Sequence, residues 1–170
     1  MNLRAQLHTG NMASLSELPG ELRLVYFGYL NCPDVCLVAS QSIGSALKNL
    51  SALDPEARAQ TTNVFVTLDP SDDIIKGDYN ELGGYMEQRY DGQGYAMRPK
   101  DRTDAERMAA AFDIRFVYTP NEFFPQGYQV DHSSRIFLTD KRGKVLAWYG
   151  DRTPGRIIAS EAMRYFQALN

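Results

Sequence analysis

The chain has 170 residues, 44% of them hydrophobic, and a net charge of −3. That length supports one good-sized core, and the acidic balance without a basic cluster argues against a nucleic-acid or anionic-membrane surface. No run of about 18 apolar residues marks a membrane-spanning helix, and the opening MNLRAQLHTGNM lacks the apolar centre of a signal peptide. One domain over residues 1–170 is expected. Either the protein is cytosolic or its signal or membrane anchor is absent from this chain.

In chain order, Thr9-Gly10-Asn11 is a turn between two short extended pieces, which predicts an N-terminal hairpin. Residues 24–28 predict a short buried strand. Ala39, Ile43, Ala46, Leu47 and Leu50 then mark one face of a helix running to about residue 50. Residues 63–68 predict a second buried strand, so strand, helix and strand form a parallel crossover. Residues 74–90 predict a helix weakened by Gly83-Gly84, and residues 95–98 a short strand. Thr103-Asp104-Ala105-Glu106 has a capping-box pattern, opening a helix that ends near Asp113. Residues 118–131, rich in Pro and aromatics, predict a long loop or irregular hairpin ending on His132. Two strands, 136–138 and 145–149, follow as an antiparallel hairpin, with Trp148 packing or stacking at the sheet edge, and a last helix starts at Thr153-Pro154. This order resembles the thioredoxin-like plan: an α/β fold with a mixed central sheet, helices on both faces and an N-terminal β-hairpin.

The chemistry concentrates in VYFGYLNCPDVC, residues 25–36, which holds both cysteines of the chain. A helix opening near Pro33 places Cys32 and Cys36 on one face, and the free N–H groups of its first turn favour thiolate. Two chemistries fit: dithiol–disulfide exchange, or binding of a soft metal such as Cu(I) or Zn(II). Two ligands make a poor metal site, and the chain offers two histidines. His8 reads as an ordinary surface histidine with no ligand type near it. His132 lies at the end of the long loop, just before a strand, and parallel strands already bring the cysteines to the end of the sheet where chemistry is expected.

Four segments, VYFGYLNCPDVC, VTLDPSDD, the helix containing AAAFDI, and VDHSSRIFLTDKRGKVL, together resemble the SCO (SCO/SenC) family. These are thioredoxin-like proteins, membrane-tethered in the periplasm or mitochondria, that serve copper assembly of cytochrome c oxidase. Carried over residue by residue, the resemblance implies a metal site of Cys32, Cys36 and His132 that binds copper as Cu(I) or Cu(II). Thiolates suit Cu(I), and the added imidazole lets Cu(II) bind too. Three ligands leave an open position for transfer, and capture or release is expected to involve movement of residues 118–131. Leu37 after the second cysteine and Asn31 before the first depart from the usual family residues. Around the site, Asp131 either orients the imidazole, faces a partner or is a solvated loop acid. Asp69 either tunes the metal from a strand's carboxyl end or forms an Asp-Pro turn, and Asp34 favours the helix start while opposing thiolate formation. Phe123-Phe124 either docks a partner or folds back onto the core.

The resemblance implies a metallochaperone and/or thiol reductant for the binuclear copper centre of oxidase subunit II or another copper protein. Another copper chaperone or a thiol reductant would be a further partner. The alternative is a periplasmic thiol-disulfide oxidoreductase without physiological metal, with Cys32 and Cys36 as redox-active thiols. Ordinary reductases carry a proline before the strand facing the cysteines, and residues 131–136 contain none. The implied location is the periplasm or the outer face of the cytoplasmic membrane, or the mitochondrial inner membrane. Nothing demands more than a monomer.

Overall fold

The computed structural model describes residues 3–32, 35–71 and 80–169, without the side chains of Val35, Cys36 and Asn80. In chain order the elements are β1 (Arg4–Leu7), β2 (Met12–Ser14), a 3-10 turn (Leu15–Glu17), β3 (Leu22–Gly28), α1 (Val35–Leu53), α2 (Pro55–Ala59) and β4 (Thr61–Thr67). There follow α3 (Asn80–Tyr90), β5 (Tyr95–Arg98), α4 (Arg102–Ala110), β6 (Phe116–Pro120), β7 (Tyr128–His132), β8 (Arg135–Asp140), β9 (Val145–Gly150) and α5 (Gly155–Leu169).

Strand β3 is the spine, with β4 parallel on one side and β8 antiparallel on the other. Every residue of β3 is buried because both faces of the sheet are covered. A strand covered twice reads as a continuous apolar run rather than an alternating one. Leu22, Leu24 and Tyr26 face a core built with α1, α3 and α5, whereas Val25 and Phe27 face a second core built with α4 and β7. The full sheet runs β2-β1-β5-β4-β3-β8-β9, and β6-β7 form a separate two-stranded sheet. The N-terminal hairpin joins the main sheet through β1, antiparallel to β5. Among the described residues no helix is long and apolar enough to cross a membrane.

Several boundaries differ from the sequence expectation. Strand β3 starts at Leu22 and therefore contains Arg23, which is fully buried. Helix α1 continues to Leu53, and the helix expected over 74–90 is described only from Asn80. The cap of α4 is Asp101, whose carboxylate accepts from the N–H of Asp104 at 2.9 Å, so Thr103 lies inside the helix. An aspartate in extended backbone satisfies an orphan N–H of the first turn, and it outcompetes the capping box expected two residues later. Of the two expectations for residues 118–131, a long loop or an irregular hairpin, the structure has a hairpin, and a regular one: β6 and β7 pair in continuous register from Phe116↔His132 to Pro120↔Tyr128. Both strands of this small sheet are edges, so Pro120 removes no interior hydrogen bond. His8 is partly buried, its Nδ1 accepting from the N–H of Ala96 at 3.1 Å, which makes it part of the β1–β5 junction rather than an idle surface group. Trp148 sits half exposed on edge strand β9, with the Arg135 guanidinium 4.8 Å from its ring centroid.

Candidate metal and thiol site

The site lies beyond the carboxyl end of β3. There the N–H of Leu68 donates to Gly28 O at 2.7 Å, and the N–H of Cys32 closes a turn onto Tyr29 O at 3.2 Å. Cys32 is half-buried and packs against both cores. Cys36 is the second residue of α1, with its side chain outside the described atoms. Asp34, expected to shape the helix start, also lies outside the described residues.

His132 is the last residue of β7, not the end of a loop. Its ring meets Tyr29 edge-on at 6.1 Å and Tyr26 at 6.3 Å between centroids, which brings the imidazole to the same end of β3 as Cys32. Its Nδ1 is 3.0 Å from Ser133 O. A carbonyl oxygen only accepts, so Nδ1 is the donor in this contact, and Nε2 is the ring nitrogen that a neutral imidazole would offer to a metal ion. Among the described side chains, no three of His, Cys, Asp and Glu gather closely enough to hold a metal. Cys36 is the donor of the expected set that falls outside them.

The β6–β7 hairpin is pinned over this end of the sheet by side chains the sequence reading did not single out. Tyr118 donates its hydroxyl to Leu68 O at 2.6 Å, and Tyr128 donates to both carboxyl oxygens of Asp69 at 3.0 and 2.8 Å. Gln126, in the turn, accepts from Asn31 Nδ2 at 3.4 Å, so the hairpin tip reaches the residue before Cys32. Asp69 is therefore a buried carboxyl held by Tyr128, and it forms no three-ligand group with Cys32 and His132. Asp131 is exposed and accepts from Thr119 Oγ1 at 2.6 Å and Gln129 Nε2 at 2.7 Å. The acceptor that meets the imidazole is Ser133 O instead. The two phenylalanines of the turn part company: Phe123 is 90% exposed, whereas Phe124 packs on the α4-side core. Tyrosines three and six residues before Cys32 were the available signal for the imidazole's surroundings, but a buried apolar strand uses the same residues for packing alone.

The profile of the SCO1/SenC family matches residues 4–167. An SCO2-like protein of Rickettsia prowazekii is 27% identical over 159 residues, covering 93% of this chain and 70% of that protein. The crystal structure of Arabidopsis thaliana ScoI with copper bound superposes with a TM-score of 0.81 at 16% identity, covering 99% of this chain and 98% of that one. BsSco, described as a member of the Sco family of cytochrome c oxidase assembly proteins and as having a disulfide switch, superposes with a TM-score of 0.72 at 22% identity, covering 96% and 91%. The fold is thus the thioredoxin-like α/β plan of these structures. With that profile matching residues 4–167, nearly the whole chain, the chain belongs to the SCO1/SenC family.

Proposed function

We propose that the protein binds copper through Cys32, Cys36 and His132 and serves assembly of the binuclear copper centre of cytochrome c oxidase, as metal donor, thiol reductant or both. The observation that carries this reading is the His132 ring, held between Tyr26, Tyr29 and Ser133 O at the end of the sheet that bears Cys32. The copper-bound state of the plant relative and the oxidase-assembly role of BsSco support it. The donor set fits the ion: two soft thiolates hold Cu(I), and a neutral imidazole extends the site to Cu(II). Copper held there would be the cargo, and a set of only three protein donors would leave room for a ligand from the partner. This chain's part is to keep Cys32 half-shielded, fix the imidazole tautomer through Ser133 O, and hold the hairpin over the loop through Asn31 and Gln126. Its partner is oxidase subunit II or another copper protein. Its place of work is the periplasm or outer membrane face, or the mitochondrial equivalent.

Anaerobic titration of the reduced protein with Cu(I), followed by absorption and EPR spectra of the Cu(II) form, tests the reading. One equivalent bound, with a sulfur-to-copper charge-transfer band that His132→Ala weakens and Cys32→Ser abolishes, is the expected result. No tight binding, together with a readily cycled Cys32–Cys36 disulfide, would replace it with a thiol-disulfide oxidoreductase. The disulfide switch named for BsSco favours keeping that second reading in view.

A further inference from the structure

On the flank of α1 remote from the cysteines, α1, α2 and the end of α3 enclose an open cleft of about 370 Å³ whose rim carries Lys48, Arg58 and Arg89 against a single carboxylate, Asp91. This is a local excess of two positive charges in a chain whose net charge is −3. Among the described residues none of these three cations has a carboxylate within ion-pair distance. Arg58 is the telling member. It is half-buried, and its hydrogen bonds go to neutral acceptors: Nη1 donates to Thr61 O at 3.0 Å, and Nη2 donates to Gln93 Oε1. A guanidinium has five N–H donors, so others remain for a ligand. Burial lowers the Arg58 pKa from its ordinary value, as expected for a cation whose lost hydration no anion replaces.

The end of α3 would oppose an anion if its last carbonyls were bare. Two of the carbonyls at that end are engaged: the Gly92 N–H donates to Met86 O at 3.1 Å and the Gln93 N–H to Tyr90 O at 2.9 Å, through a left-handed turn at Asp91 (φ 52°). Such a cap blunts the negative end of the helix dipole. What remains facing the cleft is a cationic fork on Arg58, a second on Arg89 and the ammonium of Lys48. Guanidinium forks match tetrahedral oxyanions, which accept two parallel hydrogen bonds from each.

We propose that this cleft is a binding site for a phosphate-class anion, either free phosphate or the phosphomonoester headgroup of a lipid. Lys48 follows Cys36 by twelve residues on the same helix, about 18 Å along its axis at 1.5 Å per residue. The site is therefore independent of the copper reading, and either can fail alone.

The experiment is an amide NMR titration of the metal-free, reduced protein with inorganic phosphate at fixed ionic strength, paired with sedimentation on vesicles of phosphatidylcholine with and without phosphatidic acid. Saturable shifts of the amides of Lys48, Ser51 and Arg89 to Gln93 are expected. Arg89→Gln, a change at an exposed side chain, and Arg58→Gln should each weaken the binding about tenfold, the scale of one charge-assisted contact. Arg164→Gln, on α5 away from the cleft, should leave it unchanged. Phosphate binding without vesicle retention identifies a soluble ligand. Retention that requires phosphatidic acid and is lost in Arg89→Gln identifies the lipid headgroup. Absence of both, or binding that survives the Arg58→Gln/Arg89→Gln double variant, overturns the proposal.

Discussion

Two buried polar side chains show how single residues organise this protein. Arg23, fully buried as the second residue of β3, donates through Nε to Leu15 O at 3.0 Å, through Nη1 to Gly20 O at 2.6 Å and through Nη2 to Leu18 O. It ties the turn after β2 to the sheet's spine. In the sequence it marks the start of the apolar run, because a charge normally bounds a buried strand; the carbonyls that neutralise its cost belong to a loop that periodicity does not place. Tyr128 plays the comparable part at the site, donating to both oxygens of the buried Asp69 carboxyl. Tyr128→Phe removes that donor and should cost about 1–3 kcal/mol of stability, read as a lower urea midpoint at unchanged slope. If Asp69 serves only to seat the hairpin, copper affinity should fall little in the same variant; a loss matching that of His132→Ala would instead mean that the hairpin's seat sets the imidazole's position.

At the scale of elements, the hairpin and the closing helix differ in how readable they were. The helix α5 announces itself by Thr153-Pro154 and an apolar stripe, and Ile158, Ala159, Ala162 and Phe166 are all buried. What the stripe does not reveal is how near its first turn comes to α1. A Cβ added at Gly155 would stand 2.4 Å from the backbone nitrogen of Ala46 and 2.6 Å from the carbonyl carbon of Ser45, neither of which can step aside. Gly155→Ala should therefore destabilise by about 1–3 kcal/mol despite alanine's better helix propensity, a sign reversal that thermal unfolding would show. The β6–β7 hairpin was readable only as one of two options, a long loop or an irregular hairpin, for the opposite reason. Its turn contains Asn121, whose side-chain oxygen accepts from the Phe123 N–H at 3.0 Å, and Gly127 at φ 83°, while two prolines and the aromatics obscure the strand alternation. The anchoring tyrosines hold to Leu68 and Asp69, just past the end of β4 and 50 and 59 residues away in sequence, and local pattern carries no trace of that. Motif and order single out the cysteine pair and His132; they do not single out Tyr118, Tyr128 and Ser133 O, which act through tertiary contact.

Across the whole molecule, the N-terminal hairpin is joined to the sheet through a titratable group. One backbone and one side-chain hydrogen bond pair His8 with Ala96, the His8 N–H donating to Ala96 O at 2.9 Å and His8 Nδ1 accepting from the Ala96 N–H. Burial holds the imidazole below its ordinary value of 6.5, favouring the neutral form. A histidine with a depressed native pKa contributes stability that is complete above the unfolded value and is lost as pH falls toward the native one. The urea midpoint should thus decline as pH drops below about 6.5, with His8→Asn, which keeps an acceptor but does not titrate, flattening that part of the curve. A curve of the same shape in both proteins would assign the acid sensitivity to other groups.

The chain also contains its own optical probe. Trp148 is the sole tryptophan, and its ring lies under the guanidinium of Arg135, three residues beyond His132 and on the strand that continues from the hairpin. Indole emission responds to a cation stacked on its face and to exposure of its edge, and here both depend on how β8 leaves the site. Unfolding, metal loading and motion of the hairpin's base therefore all have a route to one fluorophore, with no label introduced and no competing indole to subtract.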